Sequence, residues 1–195
     1  MTTLLFIREA KEKNILLLGV SEEGDSARYK VSRILYQEIG APLRGEALSE
    51  EMLELIKKED LSVRARIKAL SLLSYSDKSE RMLKDKLSQS GFPKEIAEEV
   101  SREMVSLGYI DENRQLERII LNEANIKLKG PVRIIQDVRA KGYSSDSVRG
   151  VLSALIKSGE IDLKANAKKL LEKKHATELT IDEKKTILYK NGYKI

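Results

Sequence analysis

Apolar positions along this chain recur first at short range and then at helical spacing. Residues 3–9 and 14–20 are compact apolar runs joined by the polar link Lys11-Glu12-Lys13-Asn14. Runs of that length between polar flanks predict two strands of a hairpin. Gly24-Asp25 reads as a turn and Arg28-Tyr29-Lys30-Val31 as a third strand. Ser32 is placed to cap a helix reaching Ile39, with Gly40 as its stop and Pro42 preventing extension. Ser49 is the next cap. Glu50 and Glu51 suit the positive end of that helix's dipole, and Met52, Leu53 and Ile56 are its apolar positions. The charged residues 57–60 are expected to end it.

From Ser62 onward the pattern predicts helices throughout. Ile67, Leu70 and Leu73 mark one, broken at residues 74–77. Ser79 opens the next, with Leu83 and Leu87 on its stripe, and Gly91 takes the left-handed position after it. Pro93 suits the first turn of a helix whose Ile96, Val100, Met104 and Leu107 form one face, with Gly108 as its stop. Asp111 then caps a helix with Leu116, Ile119, Ile120 and Leu128 among its apolar positions. Gly130-Pro131 is read as a joint where Gly ends one helix and Pro opens another, which carries Ile134 and Val138 and stops at Gly142. Ser144 and Asp146 begin a helix with Val148, Val151, Leu152, Leu155 and Ile156. Asp162 caps a further one through Leu170-Leu171, and Thr180 with Glu183 forms a capping-box pattern.

These segments repeat. Leu83, Leu87, Gly91-Phe92, Ala97, Val100 and Met104 correspond to Ile134, Val138, Gly142-Tyr143, Val148, Val151 and Leu155, and Leu188 with Gly192-Tyr193 begins a third copy. Self-similarity at a fixed period is how tandem helical units announce themselves. The expected fold is therefore mainly α, with tandem three-helix repeat units in an elongated array after a small N-terminal β-hairpin and helix module. The expected divisions are 1–61 for that module, 62–109 and 110–158 for two complete three-helix units, and 159–195 for an incomplete third unit whose last helix is missing.

Composition narrows the chemistry. In 195 residues there is no cysteine, which excludes disulfides, thiolate catalysis and zinc sites built on Cys. The longest apolar run, residues 15–20, is too short to span a bilayer, and the start lacks the pattern of a signal peptide, so a cytosolic protein is expected. The net charge of +5 is uneven: residues 1–60 carry −3, residues 61–110 carry +2 and residues 111–195 carry +6. A basic C-terminal half suits an anionic partner such as nucleic acid or an acidic protein surface, and equally a solvated helical surface rich in Lys.

Ser79-Glu80, Leu83, Lys86-Leu87 and Gly91-Phe92, followed by Gly108-Tyr109-Ile110-Asp111-Glu112 with Arg114, then Gly130-Pro131, Arg133-Ile134, Val138 and Lys141-Gly142, resemble the core of the RecX regulatory proteins. Tyr29, Ser32, Gly40, Glu46, Leu48 and Leu53 are similar to an N-terminal extension of some members. The resemblance implies a cytosolic modulator of recombination and of the SOS response to DNA damage. Such a protein binds the RecA recombinase filament on single-stranded DNA, inhibits its assembly and activity, and is no enzyme. Gln115-Leu116 departs from the family pattern, where Phe-Ala is usual, and only two residues follow Gly192-Tyr193.

Catalysis has little to stand on. The single histidine, His175, follows Lys173-Lys174 at a helix end, where a cation complements the dipole. Glu22-Glu23, Glu98-Glu99 and Asp111-Glu112 match no calcium loop or catalytic carboxylate pair, and no Gly-rich loop ends in Lys-Ser/Thr. No metal or cofactor is expected. Binding is better supported. Lys127, Lys129, Arg133, Arg139, Lys141 and Arg149 surround the corners of the second unit, and Lys168 with Lys169 and Lys173 with Lys174 form a second basic stripe. Arg133, Arg139 and Lys141 lie off the Ile134/Val138 stripe or at the helix end and should be exposed. Tyr109 and Tyr143 are expected to plug inter-helix cores. The partner implied by the resemblance is the RecA filament, with single-stranded or duplex DNA as a further ligand and a monomeric state. Two other readings stay open: a direct DNA-binding regulator with helix-turn-helix-like units, and a helical scaffold for another partner.

Overall fold

The computed structural model describes residues 1–22, 24–176 and 178–194. Of the acidic pair Glu22-Glu23, Glu23 therefore lies outside the described residues, as does Ile195. Three strands, β1 (Thr3–Glu9), β2 (Ile15–Glu22) and β3 (Asp25–Ser32), form one antiparallel sheet in sequence order. Glu9 pairs with Leu16 across β1–β2, and Ile15 pairs with Ser32 across β2–β3. The register shifts between Leu4 and Phe6, and the Phe6 ring occupies the space that a side chain at position 19 would need, so only glycine fits opposite it. Gly24 makes the turn into β3 at φ 99°.

The chain separates into two compact units, Met1–Tyr75 with Lys84–Arg102, and Ser76–Leu83 with Glu103–Ile195. In the first, Leu4, Leu16, Leu18, Val20 and Val31 of the sheet pack with Ile39, Leu48 and Ile56. Helix α1 (Arg33–Glu38) is capped by Ser32, which accepts from the Leu35 N–H. Helix α2 runs without interruption over Glu50–Tyr75. The expected break at residues 57–60 is absent: no Gly or Pro occurs between residues 50 and 75, and charge alone does not end a helix. Asp60 instead turns toward β3. Its carboxylate accepts from the Lys30 N–H at 2.7 Å and from Arg64 Nε at 2.6 Å. Lys57 beside it donates to Glu22 at 2.6 Å. The buried positions of α2 beyond Asp60 are Ser62, Val63, Ala65 and Ala69, whereas Leu70, expected on the stripe, is exposed.

Helices α3 (Glu80–Gln89) and α4 (Lys94–Ser106) bury Leu83, Leu87, Ile96, Ala97, Val100 and Met104. Leu107, expected to continue the α4 face, lies beyond the helix and is exposed; Ile110 is buried instead.

The core of the second unit is formed by Leu116, Ile120, Ala124, Ile134, Val138, Tyr143, Val148, Leu152, Leu155 and Ile161. These come from α5 (Glu112–Leu121), α6 (Pro131–Arg139), α7 (Ser145–Lys157) and the adjoining segments. Asp111 caps α5, Ser144 caps α7 and Asp162 caps α8 (Leu163–Lys173) as the sequence indicates. Thr180 and Glu183 close the capping box of α9 (Ile181–Lys190). The α5 helix does not continue to Leu128: residues Asn122–Ile126 form a π-helical turn, and Leu128 sits at φ 56° outside the helix. The turn is held by Asn125, whose side chain donates to the Glu160 carbonyl at 2.9 Å and accepts from Asn166 at 2.8 Å.

Candidate nucleic-acid interface

The π turn positions Glu123 inside the protein among its cations. Only 2% of that side chain is exposed, yet it accepts from Lys127 at 2.7 Å and Lys129 at 2.5 Å, with Lys141 at 3.9 Å. Lys129 also reaches Asp137 at 2.7 Å, and Arg133 Nε lies 3.3 Å from the same carboxylate oxygen. Burial favours the neutral form of Glu123, but the hydrogen bonds from Lys127 and Lys129 outweigh it and hold its pKa below the ordinary carboxylate range. Desolvation likewise pulls Lys129 down, and its bonds to Asp137 and Glu123 overcome this and raise it. Asp137 is lowered chiefly by the hydrogen bond from Lys129. All three groups stay charged, and the network ties the π turn to α6.

Eight of the ten basic residues singled out from the sequence, all but Lys173 and Lys174, therefore fall into two groups. Lys127, Lys129, Arg133 and Lys141 share the carboxylates of Glu123 and Asp137, although Arg133 and Lys141 remain exposed. Arg139, Lys168 and Lys169 are exposed and carry no ion pair among the described residues, and Arg149 meets only the exposed Asp146 at 3.9 Å. Glu123 and Asp137 escaped the reading of the sequence. The one signal available was the Glu123/Lys127 spacing of four, which is commonplace on helix surfaces.

The glycine-aromatic corners of the repeat behave alike in backbone and differently in side chain. Gly91, Gly142 and Gly192 stand at φ 90°, 88° and 87°. Tyr143 is buried and donates to the buried Gln115 at 2.6 Å. Tyr193 is buried and donates to the Leu128 carbonyl at 3.1 Å. Tyr109, expected to plug a core, is 56% exposed, because the adjacent Ile110 takes the interior position.

Gly130 also has a different role from the one expected. Its backbone is extended, at φ −79° and ψ 166°, and it caps α6 ahead of Pro131 rather than ending a helix. Its N–H donates to the Asn191 carbonyl at 2.8 Å, and the Val132 N–H donates to the Gly192 carbonyl at 3.1 Å. A Cβ at Gly130 would collide with the Gly192 and Tyr193 backbone, and one at Gly192 would collide with Arg133. Two glycines thus allow the start of α6 and the end of α9 to touch backbone to backbone.

What these features define is a mainly helical protein of tandem three-helix units with a small antiparallel sheet and a cation-rich second unit. Among the described residues no helix is long and apolar enough to cross a membrane. A family model described as the first three-helix domain of RecX matches residues 65–100. The regulatory protein RecX of Clostridioides difficile is 31% identical over 142 residues, covering 73% of this chain and 65% of that protein. RecX of Oceanobacillus iheyensis is 23% identical over 192 residues, covering 95% of this chain and 69% of its own length. A crystal structure of a regulatory protein RecX superposes with a TM-score of 0.75 at 21% identity, covering 100% of this chain and 95% of that one. The family model, the sequence relatives and the fold likeness all support the RecX family of regulatory proteins. It spans 65%, 55% and 45% of the length of three of the curated relatives it matches.

Proposed function

We propose that this protein binds RecA recombinase filaments on single-stranded DNA and inhibits their assembly and activity, acting in the cytoplasm as a monomeric, non-enzymatic regulator of recombination and repair. The observation that carries the reading is the likeness of fold to a RecX structure along the whole chain, joined to relatives named as regulatory proteins. The functional divisions are those expected from the repeat: 1–61, 62–109, 110–158 and 159–195. The first boundary is then crossed by the continuous α2 helix. Arg139, Arg149, Lys168 and Lys169 serve as direct contacts for an anionic partner, because a cation already committed to a buried carboxylate releases less energy on meeting a phosphate. Lys127 and Lys129 position that surface through Glu123, and Arg133 and Lys141 do both.

The test is RecA's hydrolysis of ATP on single-stranded DNA during titration with this protein. Inhibition at a small fraction of the RecA concentration is expected for a protein that stops filament growth. Absence of inhibition at equimolar protein, with a footprint on a defined duplex, would replace this reading by that of a direct DNA-binding regulator.

A further inference from the structure

We infer that the cleft between the start of α6 and the end of α9 binds a nucleotide unit of single-stranded DNA, with the base on the ring of Tyr189 and the backbone phosphates next to it at Arg133, Lys190 and Lys194. The cleft has a volume of about 530 Å³ and is walled by Val132, Gln136, Gly192 and Tyr193 besides these four residues. That volume lies within the range of sites for small organic groups. None of the described residues lining it is acidic.

Three features separate this cleft from an ordinary solvated surface. Tyr189 is 74% exposed, whereas Tyr143 and Tyr193 at the neighbouring corners are buried; its ring adds little to the core and stands free for stacking. Lys190 and Lys194 have no ion pair among the described residues. Arg133 meets Asp137 through Nε, and that carboxylate is shared with Lys129. The cleft is also rigid at its base, since the Gly130–Asn191 and Val132–Gly192 backbone hydrogen bonds hold its two walls together. Rigid walls lower the ordering cost of binding. Gln136 adds an amide able to donate to and accept from a base edge. Stacking needs an unpaired base, so the cleft selects a single strand over a duplex. An acidic protein segment would use the cations but would gain little from the ring.

This inference rests on the proposed action at filaments on single-stranded DNA, and its test is arranged to fail independently of that reading. Full-length protein is titrated, without RecA, into labelled oligodeoxythymidylate while fluorescence anisotropy is followed. Tyr189→Ala is expected to weaken binding about tenfold or more, and Tyr189→Phe to stay within about twofold of the parent. Lys190→Glu with Lys194→Glu is expected to weaken binding and to lower the slope of log affinity against log salt by about 1 to 2. Lys11→Glu with Lys13→Glu, the same charge change at the N-terminal hairpin, is expected to leave affinity nearly unchanged at moderate salt. Thermal melts of each variant establish that it is folded.

The inference is overturned by no binding of the parent, by equal loss in the Lys11/Lys13 control, or by indifference to Tyr189→Ala. Equal affinity for duplex, or equally effective competition by free dTMP at matched nucleotide concentration, overturns it as well. RecA-dependent ATP hydrolysis measured on the same variants keeps the two questions apart. Inhibition that survives Tyr189→Ala while DNA binding never depended on the ring removes the cleft and leaves the filament reading standing.

Discussion

Glu123 shows how much one side chain can decide in a basic region. It is a carboxylate with 2% exposure that holds two lysines within hydrogen-bonding distance. Removing one partner of a buried pair costs about 3–5 kcal/mol, but the lysines are partly exposed and water can take up their charge. Glu123→Gln should therefore cost about 1–3 kcal/mol, read from urea unfolding. Glu123 and Asp137 have folded pKa values below their unfolded ones. Their contribution is complete above the ordinary carboxylate pKa of about 4 and is lost as pH falls through the depressed folded values. Stability measured against pH should therefore drop on the acid side below about pH 4, and Glu123→Gln should flatten that limb.

Tyr143 carries the opposite sign. Burial, followed by the nearby Glu112 charge, pushes its pKa up to about 12. The unfolded chain ionises first, so stability is whole below about pH 10 and is lost between there and the folded value. Tyr143→Phe strands the buried Gln115 carbonyl and should cost about 1–2 kcal/mol near neutrality. Its deficit should narrow as pH rises past about 10, which denaturant melts at successive pH values can follow.

The helix ends divide into those that local chemistry explains and those that it does not. Ser32, Asp111, Ser144, Asp162 and Thr180 each cap the helix that the sequence assigns them, because an N-cap bond closes within three residues. The π turn, by contrast, has no such local cause. It is fixed by Asn125 meeting Glu160 and Asn166, 35 and 41 residues further along the chain, with the nearer pairs of Glu123 with Lys127 and Lys129 beside them. Glycines allow a direct comparison. Gly91 stands at φ 90° with open space around it, so Gly91→Ala should cost only the left-handed backbone strain of about 1–2 kcal/mol. At Gly130 the backbone is ordinary but the Gly192 backbone fills the space for a Cβ. Gly130→Ala should cost about 2–3 kcal/mol and loosen the α6–α9 junction, visible as faster amide exchange at Val132.

At the scale of the whole molecule, charge segregation becomes a measurable salt dependence. If three cations of the α6–α9 cleft neutralise phosphates of a single strand, log affinity should fall with log salt at a slope of about −2. Affinity should then drop about 20-fold between roughly 50 and 200 mM salt, a shift that anisotropy titrations detect. The +6 carried by residues 111–195 already pointed to an anionic partner. It did not separate Arg139 and Lys168, which stand free of ion pairs among the described residues, from Lys129, which is held by two carboxylates. Tyr189, Lys190 and Lys194 drew no notice as a set, because nothing in their order along the chain shows that Arg133 lies across from them.

By itself the sequence determined the local terms: the hairpin with its third strand, the helix caps, the left-handed glycines and the repeat that makes the chain a series of three-helix units. Each depends on bonds or periodicities that span a few residues, so each is written in adjacent letters. Tertiary structure decided that α2 continues through residues 57–60, that α5 ends in a π turn, that Glu123 is the buried anion of a basic region, and that Gly130 serves a backbone contact with Gly192. Those outcomes depend on which side chains meet after the chain has folded back on itself. A carboxylate paired with nearby lysines becomes buried, or a glycine a point of contact, only when a distant segment arrives beside it.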